Sequence, residues 1–90
     1  MSRTNKRNWI DVSEKWKAAY SKCKIGDSFA VVTSIAGEPD QFIDLEDKII
    51  YWYFLEEWSG VVKGGNIIRE MQFSVKDGIV VAKSCKNLDK

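Results

Sequence analysis

The residues of this 90-residue chain that could carry out chemistry are few, and none is a histidine. Three carboxylates lie close together, at Asp44, Glu46 and Asp47, and carboxylates are the ligands that hard cations such as Ca²⁺ prefer. A calcium-binding loop also needs a central glycine and a terminal bidentate glutamate, and this stretch has neither at the required spacing. The pattern therefore predicts a turn with solvated acids, and we expect neither a metal nor a cofactor.

The two cysteines are the remaining candidate nucleophiles. Cys23 and Cys85 match no metal-binding spacing, and no histidine is present to activate either thiol. Carboxylates such as Asp44 and Glu56 could form an acid–base pair only if the fold brought them together, and no motif indicates that. We therefore predict a chain that is not an enzyme. Both thiols are expected to be free in a reducing compartment, and a disulfide between them is the alternative in an oxidising one.

Charge is distributed unevenly along the chain, although its net value is only +1. Residues 1–26 carry seven Lys/Arg against two Asp/Glu, whereas residues 38–57 carry seven Asp/Glu against Lys48. An acidic surface favours a basic protein partner and speeds encounter with it. Nucleic-acid binding is the less favoured alternative, because the acidic middle would repel phosphate. Its contacts would come from the basic N-terminal arm and first helix, at Arg3, Lys6, Arg7, Lys15 and Lys22.

No apolar run reaches the length of about 20 residues that a membrane-spanning helix needs. The N-terminus is basic, like that of a signal peptide, but no apolar segment follows its charges. These two patterns predict a cytoplasmic protein without a transmembrane segment.

Two helices are predicted in the first half of the chain. Residues 9–24 carry an apolar stripe at three- and four-residue steps, which is typical of a helix that faces a core. A second, short helix lies between Gly26 and Pro39, where Asp27 or Ser28 can cap its start and Gly37 suits its end. The stripe on the first helix consists of Trp9, Val12, Trp16, Ala19, Tyr20 and Cys23.

The clearest predicted strand is Ile49–Glu57, and both of its faces are apolar or aromatic. Ile50, Trp52 and Phe54 point to one side, and the two tyrosines point to the other. We expect the tyrosine side to be the outer one, because a phenol tolerates a wet boundary. The resulting hypothesis is a partner-binding surface of aromatic and acidic residues. Its candidate residues are Tyr51, Tyr53, Glu56, Glu57, Trp58, Asp44, Glu46 and Asp47.

The rest of the chain predicts two more strands, at Ile67–Val75 and Ile79–Ser84, joined by an Asp-Gly turn. A glycine-rich hairpin loop, Trp58–Asn66, precedes them. The acidic stretch before the first strand is irregular, with a short extended piece at Phe42–Leu45 and then a turn.

This order of elements predicts an α+β fold. Two N-terminal helices would pack on a three-stranded antiparallel meander, an ααβββ two-layer sandwich. The expected boundaries are a flexible basic arm at 1–8, one domain at 9–85 and a polar tail at 86–90. The open edge of so small a sheet invites strand pairing, so a homodimer through the sheet edge is a further expectation.

Several positions resemble the SmpA/OmlA family of small lipoproteins, which includes the E component of the outer-membrane β-barrel assembly machinery. The spacing of Gly26, Val32, Gly37 and Pro39 is similar to a signature of that family. The resemblance covers roughly residues 25–84, whereas the export signal and lipidated cysteine of the family are not recognisable in this sequence. The other matching positions are Trp52 and Phe54 in an aromatic strand, Phe73, the turn Asp77-Gly78 and the short apolar strand Ile79–Val81.

The resemblance implies the same ααβββ fold and a structural role for the matched residues, which carry no catalysis. The fold is also similar to that of the β-lactamase inhibitor proteins, which use two copies of this architecture to clasp an enzyme. We therefore expect a non-catalytic protein-binding module, a small adaptor or inhibitor-like protein. An envelope-associated domain of the SmpA/OmlA type is the alternative, and a nucleic-acid binder is the second alternative.

Overall fold

The computed structural model describes residues 9–58 and 66–88. Two helices come first, α1 (Trp9–Lys22) and α2 (Ala30–Ala36). Four strands follow, β1 (Gln41–Asp44), β2 (Ile49–Trp58), β3 (Asn66–Lys76) and β4 (Ile79–Lys86). They form one antiparallel sheet in the order β1-β2-β3-β4. The α+β class is confirmed, but the sheet has four strands, so the prediction of a three-stranded sheet is wrong.

The additional strand is β1, which pairs with the first half of β2. All four of its residues are exposed, so it lacks the alternation of buried and exposed residues that marks a strand in sequence. Two hydrogen bonds of Asp40 hold the start of β1 against β2. The backbone N–H of Asp40 donates to the Trp52 carbonyl oxygen at 2.8 Å, and its carboxylate accepts the Phe54 N–H at 2.7 Å. Backbone pairing, rather than side-chain burial, therefore places β1.

Helix α1 lies against the sheet through the predicted stripe. Trp9, Trp16 and Ala19 are buried in the core, and Val12 and Tyr20 pack against it. The aromatic rings interlock edge to face: the Trp16 ring centroid is 5.7 Å from that of Trp9. Such contacts add to the stabilisation from burial, which is about 1.5–3 kcal/mol for a large apolar side chain. The prediction of a core-facing first helix is confirmed.

Lys83 of β4 ties the end of α1 to the sheet. Its ammonium donates to the carbonyl oxygens of Tyr20 and Cys23, at 2.5 and 3.0 Å. These carbonyls belong to the end of the helix, where the last C=O groups have no partner within the helix and the dipole is negative. The ammonium also lies 4.3 Å from the centre of the Tyr20 ring. One lysine therefore caps the helix and packs on its last aromatic residue.

The segment that joins the two helices pairs with the start of β4. The N–H of Gly26 donates to the Val80 carbonyl, and the N–H of Val80 donates to the Asp27 carbonyl, both at 2.8 Å. The Ser28 hydroxyl accepts the Ala30 N–H at 3.1 Å, so Ser28 binds the first N–H of α2 as predicted, whereas the N-cap position itself is occupied by Phe29 without a side-chain bond. Gly37 ends α2 with a φ of 84°, a value that suits glycine.

The centre of the core is Tyr53 on β2, and its position corrects the predicted orientation of that strand. Tyr53 and Leu55 face the helices with relative exposures of 0% and 4%, whereas Phe54 on the other side is 37% exposed. The prediction that the tyrosine side is the outer one is therefore wrong. The buried phenol is satisfied within the fold, because its hydroxyl donates to the Gly37 carbonyl at 2.5 Å.

The packed part of the chain reaches beyond the predicted boundary at residue 85. Lys86 still pairs with Glu70, and the Asn87 side-chain amide donates to the Ile68 carbonyl at 2.7 Å. Leu88 is buried in the core with 6% exposure. Residues 86–88 of the predicted polar tail are therefore part of the domain, while residues 89–90 and the predicted arm at 1–8 lie outside the described residues.

We expect Tyr53→Phe to lower the free energy of unfolding by about 1–2 kcal/mol, because the Gly37 carbonyl loses its donor within the fold. Urea denaturation at neutral pH measures this change. Tyr51→Phe is the matched control, since Tyr51 is on the same side of the same strand and is held mainly by ring stacking on Phe29. An equal loss in both variants would show that the bond to Gly37 does not matter.

We also expect stability to fall at alkaline pH through Tyr53. Burial, and then the nearby charges of Glu38 and Asp40, raise the pKa of Tyr53 far above its usual range. The unfolded chain would release this proton from about pH 10, so stability is fully present below that pH and falls above it by up to about 1.4 kcal/mol per pH unit. Urea midpoints between about pH 9 and 11 should fall less steeply for Tyr53→Phe than for the parent chain. Parallel curves would contradict this assignment.

Candidate functional site

A cleft opens at the end of the sheet where the β1–β2 and β3–β4 turns lie. The turn between β1 and β2 is closed by the Leu45 N–H, which donates to the Lys48 carbonyl at 2.8 Å. The turn between β3 and β4 has Asp77 and Gly78 at φ values of 53° and 81°, which confirms the predicted Asp-Gly turn. The cleft between these turns and Phe29 has a volume of about 390 Å³. We call it the acidic cleft; it is lined by Phe29, Asp44 to Ile49, Tyr51, Val75, Asp77 and Gly78.

Two stacked aromatic rings form one wall of the acidic cleft. The rings of Phe29 and Tyr51 lie 4.4 Å apart between centroids and within 12° of parallel. Phe29 is buried, and its N–H donates to the Gly78 carbonyl at 2.9 Å, which holds the start of α2 against the second turn. Val75 and Ile49, which are opposite each other on β3 and β2, continue the apolar lining.

Five of the remaining seven lining residues are charged, and four of these are acidic. Asp44, Glu46, Asp47 and Asp77 contribute four carboxylates, and Lys48 contributes the single cation, so the lining carries a net charge of −3. All four carboxylates are exposed. Within the described residues, no group of three or more Asp, Glu, Cys or His side chains converges in a way that could hold a metal ion. The cleft thus combines an apolar wall with a diffuse negative rim.

The structure brings together four of the eight predicted site residues. Asp44, Glu46, Asp47 and Tyr51 all line the acidic cleft. Tyr53 does not belong to it, because its ring is buried between Trp16 and Phe73.

The other three predicted residues are at the opposite end of β2. Glu56 is exposed there, opposite Ile68. The side chains of Glu57 and Trp58 lie outside what the structure describes, as does most of the predicted hairpin loop.

A second surface was not predicted, and it lies on the opposite side of the sheet from the helices. The helix core residues pack on the Tyr53 side, so alternate residues of the strands face away from them. Several of these are large and apolar, with exposures of 45% for Ile43, 37% for Phe54 and 36% for Ile68. We call this surface the outer face; its apolar members are Ile43, Ile50, Trp52, Phe54 and Ile68. In the sequence, this surface is indicated by the apolar residues at the even-numbered positions of β2. The predicted orientation of that strand places these residues in the interior.

The two thiols occupy different environments. Cys23 is fully buried at the end of α1, and burial, followed by the charge of Asp27, raises its pKa. Cys85 is exposed on β4 and contacts Tyr20, whose own pKa is raised by burial and by Cys85. Neither cysteine is in a disulfide.

Comparison with protein-family models, curated proteins and solved structures found no match for this chain. The resemblance to the SmpA/OmlA family therefore stays a prediction, and any functional proposal rests on the acidic cleft and the strands beside it. Among the described residues, no helix has the length and apolarity to cross a membrane.

We expect the two thiols to differ strongly in reactivity. A thiol reagent such as a disulfide dye should modify Cys85 rapidly in the folded protein, whereas Cys23 should react only after denaturation, because it is buried with a raised pKa. Stopped-flow absorbance measures the two phases. Cys85→Ser should remove the fast phase and leave the slow one. Two fast phases in the parent chain would show that the end of α1 opens readily.

Proposed function

We propose that this chain is a non-catalytic protein-binding module that uses the acidic cleft to bind a basic segment of another protein. The observation that supports it most directly is the cleft itself, in which the fold collects Asp44, Glu46 and Asp47 beside a stacked aromatic wall. Concave sites that combine an apolar wall with a few polar groups are the usual form of ligand-binding pockets.

The chemistry of the cleft suits a lysine or arginine side chain. Such a side chain has an apolar stem that would cover Ile49 and Val75, and a cationic head that would meet the carboxylates. The half-buried ring of Tyr51 adds a cation–π attraction worth about 0.5–1 kcal/mol where the ring is open to solvent. The apolar and charged parts of one basic residue therefore match the two parts of the cleft.

Long-range charge supports the same partner. Residues 38–57, which contain β1, most of β2 and the turn between them, carry seven acids against one lysine, a net charge of −6. A field of this sign attracts a basic surface and orients it before contact, which raises the association rate more than the affinity. We infer that the partner presents clustered Lys or Arg residues, and that its binding weakens as salt is added.

The test is a titration of the isotope-labelled full chain with a pair of synthetic peptides of about a dozen residues each. The two peptides are identical except that the Lys and Arg residues of the first are replaced by Glu in the second. We expect only the basic peptide to shift the backbone amide signals of residues 45–49 and 75–78. Asp44→Asn with Asp47→Asn should weaken this binding by about tenfold, and Tyr51→Leu by roughly threefold, since leucine keeps an apolar side chain but removes the π-face.

The matched control is Asp11→Asn with Glu14→Gln, which removes two exposed acids of α1 and the same net charge. This control should bind the basic peptide as tightly as the parent chain. If the control and the cleft variant lose affinity equally, overall charge explains the binding. If the cleft variant binds the basic peptide as tightly as the parent chain, the acidic cleft is not the binding site.

A further inference from the structure

We propose that the basic segment of the partner binds as an extended strand, which pairs with the open edge of β1 and extends the four-stranded sheet by one strand. This binding mode rests on the proposed function, because it takes the same basic segment as the ligand. It goes further by naming the conformation of that segment and the backbone groups that hold it. Main-chain hydrogen bonds to an exposed sheet edge are a common way to bind a peptide.

The backbone of β1 has hydrogen-bonding groups that face away from the sheet. All four residues of β1 are exposed, and the Leu45 N–H donates to the Lys48 carbonyl just beyond the end of the strand. Hydrogen-bonded pairs alternate along an antiparallel ladder, so the N–H and C=O groups of Ile43 face β2, whereas those of Phe42 and Asp44 face outward. Within the part of the chain that the structure describes, no strand pairs with this side of β1.

The opposite edge of the sheet is different, because the fold already covers its beginning. The N–H of Gly26 donates to the Val80 carbonyl, and the N–H of Val80 donates to the Asp27 carbonyl. Ser28 forms a further bridge with Ile79. A strand added to β4 at this end would displace these bonds. Near the acidic cleft, β1 is therefore the edge that an added strand can reach.

The charge of β1 and its surroundings selects the occupant of this edge. Residues 38–47, which contain β1, carry five acids and no base. Two copies of the chain paired through β1 would bring two such segments side by side, and like charges on adjacent strands are destabilising. A strand that carries lysine or arginine meets opposite charge instead. The edge therefore favours a basic segment over a second copy of this chain.

The side chains of β1 define which residues the added strand should carry. Phe42 is opposite Tyr51 on the helix side, with 6.0 Å between their ring centroids, and it is 60% exposed. An apolar residue beside Phe42 would remove much of this surface from water, and Ile43 on the other side would take a second apolar residue. A lysine beside Asp44 would place its ammonium at the acidic cleft, which Asp44 lines.

These neighbours predict a short sequence pattern. The added strand should carry one basic residue followed by two apolar residues, read from its N-terminus, when it runs antiparallel to β1. Antiparallel pairing is the more stable arrangement per residue, so this is the expected order. In this register the N–H groups of the basic residue and of the second apolar residue face β1, whereas that of the first apolar residue faces away.

Amide hydrogen exchange of the full chain tests the proposal, with a peptide of about a dozen residues that has lysine, valine and valine at its centre. In the free chain, the N–H groups of Phe42 and Asp44 should exchange fast and that of Ile43 slowly. Saturating peptide should slow exchange at Phe42 and Asp44 at least about tenfold, because both groups then donate to the added strand. Binding by side chains in the acidic cleft alone would leave both groups fast.

Two methylated forms of this peptide are the matched comparison, since they have the same composition and charge. An N-methyl group on the second valine removes the N–H that would donate to the Phe42 carbonyl, and it should weaken binding at least about tenfold. The same group on the first valine points away from β1 and should change the affinity by less than about twofold.

The outcomes separate strand addition from the proposed function. If both methylated peptides bind equally and exchange at Phe42 and Asp44 stays fast, while the amide signals of residues 45–49 still shift, strand addition is overturned and the proposed function stands. If neither the parent peptide nor its methylated forms bind, both are overturned. Slowed exchange at Phe42 and Asp44, together with weakening by the methyl group on the second valine alone, supports both.

Discussion

The hydrogen bond from the Tyr53 hydroxyl to the Gly37 carbonyl is the interaction on which the arrangement of the two layers depends. A phenol in the centre of a small core must have an acceptor, because an unsatisfied buried hydroxyl costs about 1–3 kcal/mol. Gly37 supplies that acceptor because α2 ends there, where a carbonyl has no partner within the helix. The end of α2 and the middle of β2 are therefore fixed to each other. This attachment points the tyrosine side of β2 inward and leaves Trp52 and Phe54 on the outer face.

The acidic cleft depends on the same constraint. With Tyr53 inside, Tyr51 faces the helices as well, and it stacks on Phe29 at the start of α2. The backbone bond between Phe29 and Gly78 brings the second hairpin turn to this place. The acidic turn between β1 and β2 lies beside it, because the β1–β2 and β3–β4 turns are at the same end of the sheet. The aromatic wall and the carboxylates thus meet although they come from separate parts of the sequence.

The sheet separates two surfaces of different character. The acidic cleft is charged and lies on the helix side, whereas the outer face is apolar in its centre and charged only at its ends. A small domain has too few residues to cover both sides of a four-stranded sheet, since it buries only about 60–65% of its unfolded surface. One side of the sheet is covered by α1 and α2, and apolar residues of the other side, such as Ile43, Phe54 and Ile68, stay exposed.

The sequence by itself determined the features that depend on local pattern. The stripe of α1, the ends of α2, the Asp-Gly turn and the three longer strands all follow from periodicity and from the backbone preferences of glycine, proline and aspartate. The grouping of the acids at residues 44, 46 and 47 on one surface also follows from their closeness in sequence. Only the tertiary structure decided which side of β2 is buried, because both sides are apolar and period-two alternation then carries no information on burial. It also decided that β1 exists, since four exposed residues held by backbone bonds leave no hydrophobic pattern. In both cases the deciding partner, the Gly37 carbonyl for Tyr53 and the backbone of β2 for β1, is distant enough in sequence that no local rule could identify it.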